Sequence, residues 1–118
     1  MLETIPNRYP HLITEISLTY PFAHLCPISG EPQPDSTITI AYQAGSRLLE
    51  TKALRQYLAT FTQMNDVRDL EEAVQVIAQA CANTLAVRVT VRAHYQLLSS
   101  AVDVAVTATP ATGGGHYV

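Results

Sequence analysis

The sequence has little cysteine, no excess of basic charge and no long apolar run. Lys and Arg total 7 against 10 Asp and Glu, for a net charge of -3, and the cations stand singly along the chain. Proteins that grip a phosphate backbone cluster their Lys and Arg into a patch or stripe, so no direct nucleic-acid contact is expected. No stretch approaches the ~20 consecutive apolar residues of a membrane-spanning helix. Met1 to Pro10 carries acid, proline and arginine, unlike a signal peptide. Cys26 and Cys81 are too few and too far apart for a zinc motif or a disulfide framework. Reduced thiols and a cytoplasmic location are the expectation. Gly113 to Gly115 follows no strand-to-helix pattern, so no phosphate-cradling loop is read there.

The 118 residues fit a single domain spanning 1–118, with 110–118 expected to form a flexible tail. Hydrophobic residues make up 47% and charged residues 14% of the chain. A domain of this size buries roughly two-thirds of its unfolded surface. Oligomers are a common way to cover the remainder.

Two hydrophobic periods alternate along the chain. Leu12 to Tyr20 and Ser36 to Gln43 alternate with a period of two residues and predict strands. Between them runs a loop with Pro21, Pro27, Pro32, Pro34 and Gly30. Leu48 to Phe61 has apolar residues at helical spacing (Leu49, Ala53, Leu54, Tyr57, Leu58, Phe61). After the polar stretch from Thr62 to Arg68, a second helix starts at Asp69, a residue that caps well, and runs to Leu85. Cys81 lies on its apolar stripe and is expected in the core. Val87 to Tyr95 and Val102 to Ala108 complete the pattern as strands. The order predicts an α+β fold: a four-stranded antiparallel sheet made of two hairpins, with two helices on one face. Such a sheet has two unpaired edges, and joining edges between subunits into a closed barrel would remove them.

Cys26 is the candidate nucleophile. It lies in the turn-rich segment Leu25-Cys26-Pro27-Ile28-Ser29-Gly30-Glu31-Pro32 and outside any apolar stripe, where a thiol can be exposed and ionise. The competing reading is a buried loop cysteine acting as a small hydrophobe. His24, two residues earlier, could assist the thiol, but neighbouring side chains in an extended loop point apart.

Three segments in order resemble the NADPH-dependent 7-cyano-7-deazaguanine reductases. They are Leu2-Glu3-Thr4-Ile5-Pro6-Asn7 with Tyr9-Pro10; Cys26-Pro27-x-Ser29-Gly30-x-Pro32 followed by a Thr/Ile strand; and Glu50-x-Lys52-x-Leu54-x-x-Tyr57-Leu58-x-x-Phe61. The resemblance covers roughly residues 2–91. It implies a tunnelling fold whose subunits close a β-barrel and stack as rings, with sites at subunit boundaries. It also implies a chemistry in queuosine biosynthesis: the Cys26 thiolate adds to the nitrile of a 7-deazaguanine base, a thioimide forms, and hydrides from NADPH give the aminomethyl product. By the same resemblance Asp35 is the candidate proton donor, Glu71 and Glu50 are candidate substrate ligands, and Lys52 and Arg47 face the cofactor. Read without the resemblance, Glu50 and Lys52 are an exposed charge pair.

The chain departs from the family at several points. The family's aspartate position, seven residues after the cysteine, holds Gln33, and Asp35 lies two residues later. The family's His-Glu pair before the second helix is missing its histidine. Counting back through the helix puts Glu71 at the glutamate and Leu70 at the histidine. Counting forward from Phe61 puts Arg68 and Asp69 at the pair. Asp69 and Glu72 have the spacing of a capping box, which favours Glu71 over them for the base, against the competing reading of Glu71 as a solvated first-turn glutamate favoured by the helix dipole. The Arg-Gly-Gly segment expected between the last two strands is replaced by Gln96 to Ala101. Two further readings therefore stand beside the reductase: an amidinotransferase that uses ammonia on the same thioimide, as in archaeosine-type tRNA modification, and a non-catalytic protein that binds a 7-deazaguanine or purine.

Overall fold

The computed structural model describes residues 1–26, 28–62 and 69–111. Pro27, most of the polar stretch before the second helix, and the expected tail from residue 112 onward lie outside the described residues.

The core of the fold is one antiparallel sheet. Its strands, β2 (Glu15–Pro21), β3 (Thr37–Gln43), β5 (Val89–Gln96) and β6 (Ala101–Ala108), lie in the order β2-β3-β5-β6. The alternation read in the sequence decides which face is covered. Ile38, Ile40 and Tyr42 of β3 and Val89, Val91, Ala93 and Tyr95 of β5 are buried, and every second residue turns away from them. In register, Leu18, Ile40, Val91 and Val106 form one apolar row across all four strands. The opposite face carries Thr19–Thr39 and Thr90–Thr107 hydroxyl pairs at 2.8 and 2.9 Å and a His94–Asp103 contact at 2.7 Å.

Both helices join the same core. Helix α2 (Leu70–Leu85) packs on β5 and β6 through Ala73, Val74, Ile77, Ala78, Cys81, Ala82 and Leu85. It begins where Asp69 Oδ1 accepts the Glu72 N–H at 2.7 Å. It ends at Ala86, whose N–H donates to the Ala82 carbonyl at 2.8 Å and whose left-handed backbone (φ 60°) turns the chain out of the helix. Helix α1 (Thr51–Ala59) buries Ala53, Leu54 and Leu58. Cys81 is fully buried, as its place on the stripe predicted, and burial pushes its thiol up to about 12.

One expected boundary is corrected. The predicted helix from Leu48 starts at Thr51, because residues 47–49 are a strand, β4 (Arg47–Leu49), paired antiparallel with β1 (Thr4–Pro6). Leu48 and Leu49 happen to fall on helical spacing, but the Leu49 N–H donates to the Tyr42 hydroxyl at 3.0 Å and Glu50 has extended backbone (φ -78°, ψ 123°). The chain therefore has a second, two-stranded sheet that hydrophobic periodicity did not reveal.

Candidate functional site

The proline-rich loop from Phe22 to Ser36 closes on itself as a narrow hairpin. The His24 N–H donates to the Pro32 carbonyl at 3.0 Å and the Cys26 N–H to the Glu31 carbonyl at 2.9 Å. The Gly30 N–H returns to the Cys26 carbonyl at 2.9 Å. This tight reversal needs positive φ at Gly30 (74°), and His24 also takes a left-handed backbone (57°). The loop is docked as well as closed. The Gln33 N–H donates to the Gln96 carbonyl (2.7 Å), and the Leu98 N–H donates to Glu31 Oε2 (3.0 Å). Fully buried Ser36 accepts the Gln96 N–H at 2.9 Å. The β5–β6 turn thus holds the cysteine loop. Removing the Ser36 hydroxyl leaves the partly buried Gln96 N–H without this partner, so Ser36→Ala is expected to cost about 1 kcal/mol or somewhat more in a denaturant melt.

Cys26 is half-buried at the head of this hairpin. Its thiol pKa is lowered, first by the Ser29 hydroxyl and then by the N–H groups of Ser29 and Ile28, against smaller opposing effects of burial and the Glu31 charge. Donors aimed at a sulfur favour the thiolate, the nucleophilic form. His24 takes no part: its Nδ1 sits 2.9 Å from the Gly30 carbonyl, inside the loop. Ser29 is the residue that sequence reasoning quoted without giving it a task. The signal available was a hydroxyl three residues after a cysteine in a turn closed by glycine. The two thiols should therefore behave oppositely. Under native conditions iodoacetamide is expected to modify Cys26 and spare Cys81, and denaturation should expose both, as peptide mass mapping would read.

The start of α2 comes to the same end of the sheet. The Tyr95 hydroxyl donates to the Leu70 carbonyl at 2.9 Å, and the Tyr95 ring stacks on Phe22 at 6.3 Å. Phe22 in turn meets Phe61 edge-on at 6.2 Å. Burial, with a further push from the Glu71 carboxylate, raises the Tyr95 pKa. Glu71 itself is exposed on the first turn of α2. Cys26 and Glu71 thus belong to one end of the molecule. Exposed Ile28 and Leu98 add aliphatic surface there.

The other candidates are positioned differently. Asp35 is exposed in the turn before β3, and Gln33 is half-buried where its backbone meets Gln96. Glu50 caps α1: Oε1 accepts from the Ala53 N–H (2.8 Å) and Oε2 from the Lys52 N–H (3.0 Å). These bonds lower its pKa, the Lys52 N–H most. A depressed carboxylate pKa contributes stability above its ordinary value of 4.5 and loses it as pH falls through the lowered folded value. Glu50→Gln is therefore expected to flatten part of the acid limb of the Tm–pH curve. Arg47 turns back onto β1, with Nε to Thr4 Oγ1 at 2.9 Å and a second N–H to the Thr4 carbonyl at 3.1 Å. Lys52 is exposed. The β1–β4 ribbon follows the far end of β3, whereas the cysteine loop enters its near end. The seven residues of β3 span roughly 20 Å at about 3.3 Å per residue. Beyond β4 the chain turns back along the sheet, since the Tyr20 hydroxyl, at the loop end of β2, donates to the Thr51 carbonyl at 3.3 Å.

On the bare sheet face, a shallow cavity of about 590 Å³ is lined by residues including Glu15, Ser17, Arg88 and Arg92, and by none of the candidates. Among the described residues no group of three His, Cys, Asp or Glu could hold a metal ion, and no helix is long and apolar enough to cross a membrane.

These features define an α+β domain with a cysteine thiol of lowered pKa in a loop docked at one sheet end. The chain belongs to the family of NADPH-dependent 7-cyano-7-deazaguanine reductases. The reductase of Anaeromyxobacter sp. (strain Fw109-5) is 34% identical over 84 residues, covering 65% of this chain and 68% of the relative. That of Exiguobacterium sibiricum is 35% identical over 80 residues, covering 67% and 48%. That of Parvibaculum lavamentivorans is 35% identical over 86 residues, covering 72% and 54%. The chain thus spans about half the length of several of the curated relatives it matches. No family model matches it.

Proposed function

We propose that this chain is a nitrile reductase that converts 7-cyano-7-deazaguanine to 7-aminomethyl-7-deazaguanine through a thioimide on Cys26, a step of queuosine biosynthesis in the cytoplasm. The observation that carries this reading is the Cys26 thiol, favoured as thiolate by Ser29 and the loop N–H groups, in a chain of this family. A thiolate adds to an electrophilic nitrile carbon and divides a difficult reduction into easier steps. Asp35 is the proposed proton donor to the nitrile nitrogen. Glu71, exposed on the first turn of α2, is the proposed anchor for the amino-pyrimidine edge, since a carboxylate can accept two N–H bonds side by side. Ile28 and Leu98 offer apolar faces for the flat base.

NADPH, when bound, supplies the two hydrides. Lys52 suits its phosphates, being an exposed cation at the start of α1. Arg47 has two N–H groups engaged by Thr4 and offers the remainder of its fork. Glu50 has two cap bonds to the backbone, so any contact it makes with substrate uses its remaining lone pairs.

A site shared between copies would set Arg47 of one chain beside the cysteine loop of another. The sheet edges β2 and β6 support this reading. β6 is an eight-residue edge strand whose one charge is Asp103, and such edges invite pairing with another chain. Closing these edges into a barrel ring, as in a tunnelling fold, would complete sites at subunit boundaries. Native mass spectrometry tests this, and a monomer at working concentration would defeat it.

The direct test of function is NADPH oxidation on adding the nitrile, with the aminomethyl product identified by mass. Gln33 at the family's acid position, with Asp35 displaced and exposed, favours one second reading, in which ammonia takes the place of hydride on the same thioimide. Turnover with ammonium and without NADPH would select it. An adduct that never turns over would select a binding protein.

A further inference from the structure

On the reading just proposed, Cys26 Sγ must meet a carbon held by other parts of the molecule, so the placing of the loop tip counts as well as the state of the thiol. The hairpin has a buried base: Leu25 packs in the core and Pro32 is fully buried. Beyond them the tip reaches outward, with Ile28 and Ser29 exposed. Most hydrogen bonds at the tip join its own residues. The Cys26 N–H donates to the Glu31 carbonyl and the Gly30 N–H to the Cys26 carbonyl, each at 2.9 Å, and the Glu31 N–H donates to Ser29 Oγ at 3.2 Å. Gln33 and Ser36, which meet Gln96, lie on the β3 side of the base. Among the described residues, one hydrogen bond ties the tip to the rest of the fold: the Leu98 N–H donates to Glu31 Oε2 at 3.0 Å. The turn that supplies this donor is itself braced. Its Leu97 N–H donates to the Ser100 carbonyl at 2.8 Å, and Gln96 Nε2 donates to the Leu97 and Ser100 carbonyls at 3.1 and 3.2 Å.

We infer that Glu31 is a positioning residue: by clasping the Leu98 N–H it fixes the arm of the hairpin to which the Cys26 backbone is bonded, and so sets where the nucleophile stands against the nitrile carbon. Its carboxylate holds the β5–β6 turn and its carbonyl holds the N–H of the cysteine. Two hydrogen bonds thus run in series from the sheet end to the nucleophile. A tip held at its base alone can swing about that base. A second fixed point removes the swing, and a misplacement of about 1 Å can cost a hundredfold in rate. The stretch from Gln96 to Ala101, which stands in place of the family's Arg-Gly-Gly segment, supplies that point. The charge of Glu31 acts separately and opposes the thiolate. Glu31 therefore does not activate the sulfur, and its contribution to the reaction is placement.

The test compares the whole chain with Glu31→Ala and Glu31→Gln, each verified as folded by its melt. Four readouts are taken: hydrogen exchange at the Leu98 amide, iodoacetamide rate at neutral pH, rate of adduct formation with the nitrile by intact mass, and kcat and KM. Glu31→Ala is expected to speed exchange at Leu98, to slow adduct formation and to lower kcat about ten- to a hundredfold, with KM for the nitrile unchanged. Both variants lose the charge that opposes the thiolate, so neither should alkylate more slowly than wild type. The small reagent needs a thiolate and no fixed placement. Glu31→Gln keeps an acceptor for the Leu98 N–H and should restore kcat to within about threefold. An alanine variant with wild-type kcat, or one whose alkylation falls in step with its kcat, overturns the role of Glu31 and leaves the reductase reading intact. A glutamine variant as slow as the alanine variant does the same. No adduct on the wild-type chain overturns the reductase reading, and the placement role with it, whatever the exchange at Leu98.

Discussion

Incubation with 7-cyano-7-deazaguanine is expected to raise the mass of the intact chain by one nitrile molecule, and Cys26→Ala should abolish both that increase and turnover. The expected loss of turnover is on the order of a thousandfold or more, as for other enzymes stripped of a covalent nucleophile. Two physical facts make the prediction specific to one sulfur. Burial pushes the Cys81 thiol up to about 12, within the packed face of α2, so it is neither ionised nor reachable at neutral pH. The Cys26 thiol is pulled the other way by Ser29 and the loop N–H groups. Cys81→Ala should therefore keep the adduct, at some cost in stability. An adduct that survives Cys26→Ala, or that maps to another residue after digestion, would remove the proposed mechanism. The same mass measurement made without NADPH isolates the capture step, because addition of the thiolate needs no hydride.

The sheet, the covered face and the extent of α2 were legible in the sequence because each rests on a repeated local signal. Ile38, Ile40 and Tyr42 alternate with threonines and alanine, and the stripe from Leu70 to Leu85 keeps helical spacing behind Asp69. The β1–β4 ribbon was not legible. Three residues are too few to show a period, and its pairing joins Thr4 to Leu49 across a separation that no local pattern records. Glu50 looked like half of an exposed charge pair, yet its carboxylate caps α1 through two N–H groups. The candidate thiol was legible from the company of Cys26 in a turn. The lowering of its pKa by Ser29 and Ile28 was not, nor was the docking of the loop at Gln96 and Leu98, more than sixty residues along the chain. Sequence pattern thus reports faces and periods, whereas the loop owes its shape to contacts between distant segments.

Those contacts hold only while the sheet beneath them is intact, and Ile40→Ala tests that dependence. Ile40 is fully buried in β3, between Leu18 on β2 and Val91 on β5. Truncating a buried isoleucine removes its transfer free energy and leaves a cavity, for an expected loss of about 2–5 kcal/mol. That is a large share of the ~5–15 kcal/mol that domains have in total. A fall in Tm of roughly 10 °C or more should follow for a chain of this size. Thr39→Ala, one residue away on the bare face, removes a hydroxyl that pairs with Thr19 and a partly exposed methyl, and is expected to cost about 1 kcal/mol or less. The pair of variants tests which face is covered: equal losses would mean that both faces are buried alike. The Ile40 variant should also increase iodoacetamide labelling of Cys81, which lies in the same core. Labelling of Cys26, whose thiol is favoured by hydrogen bonds within its own turn, should change little until the chain melts.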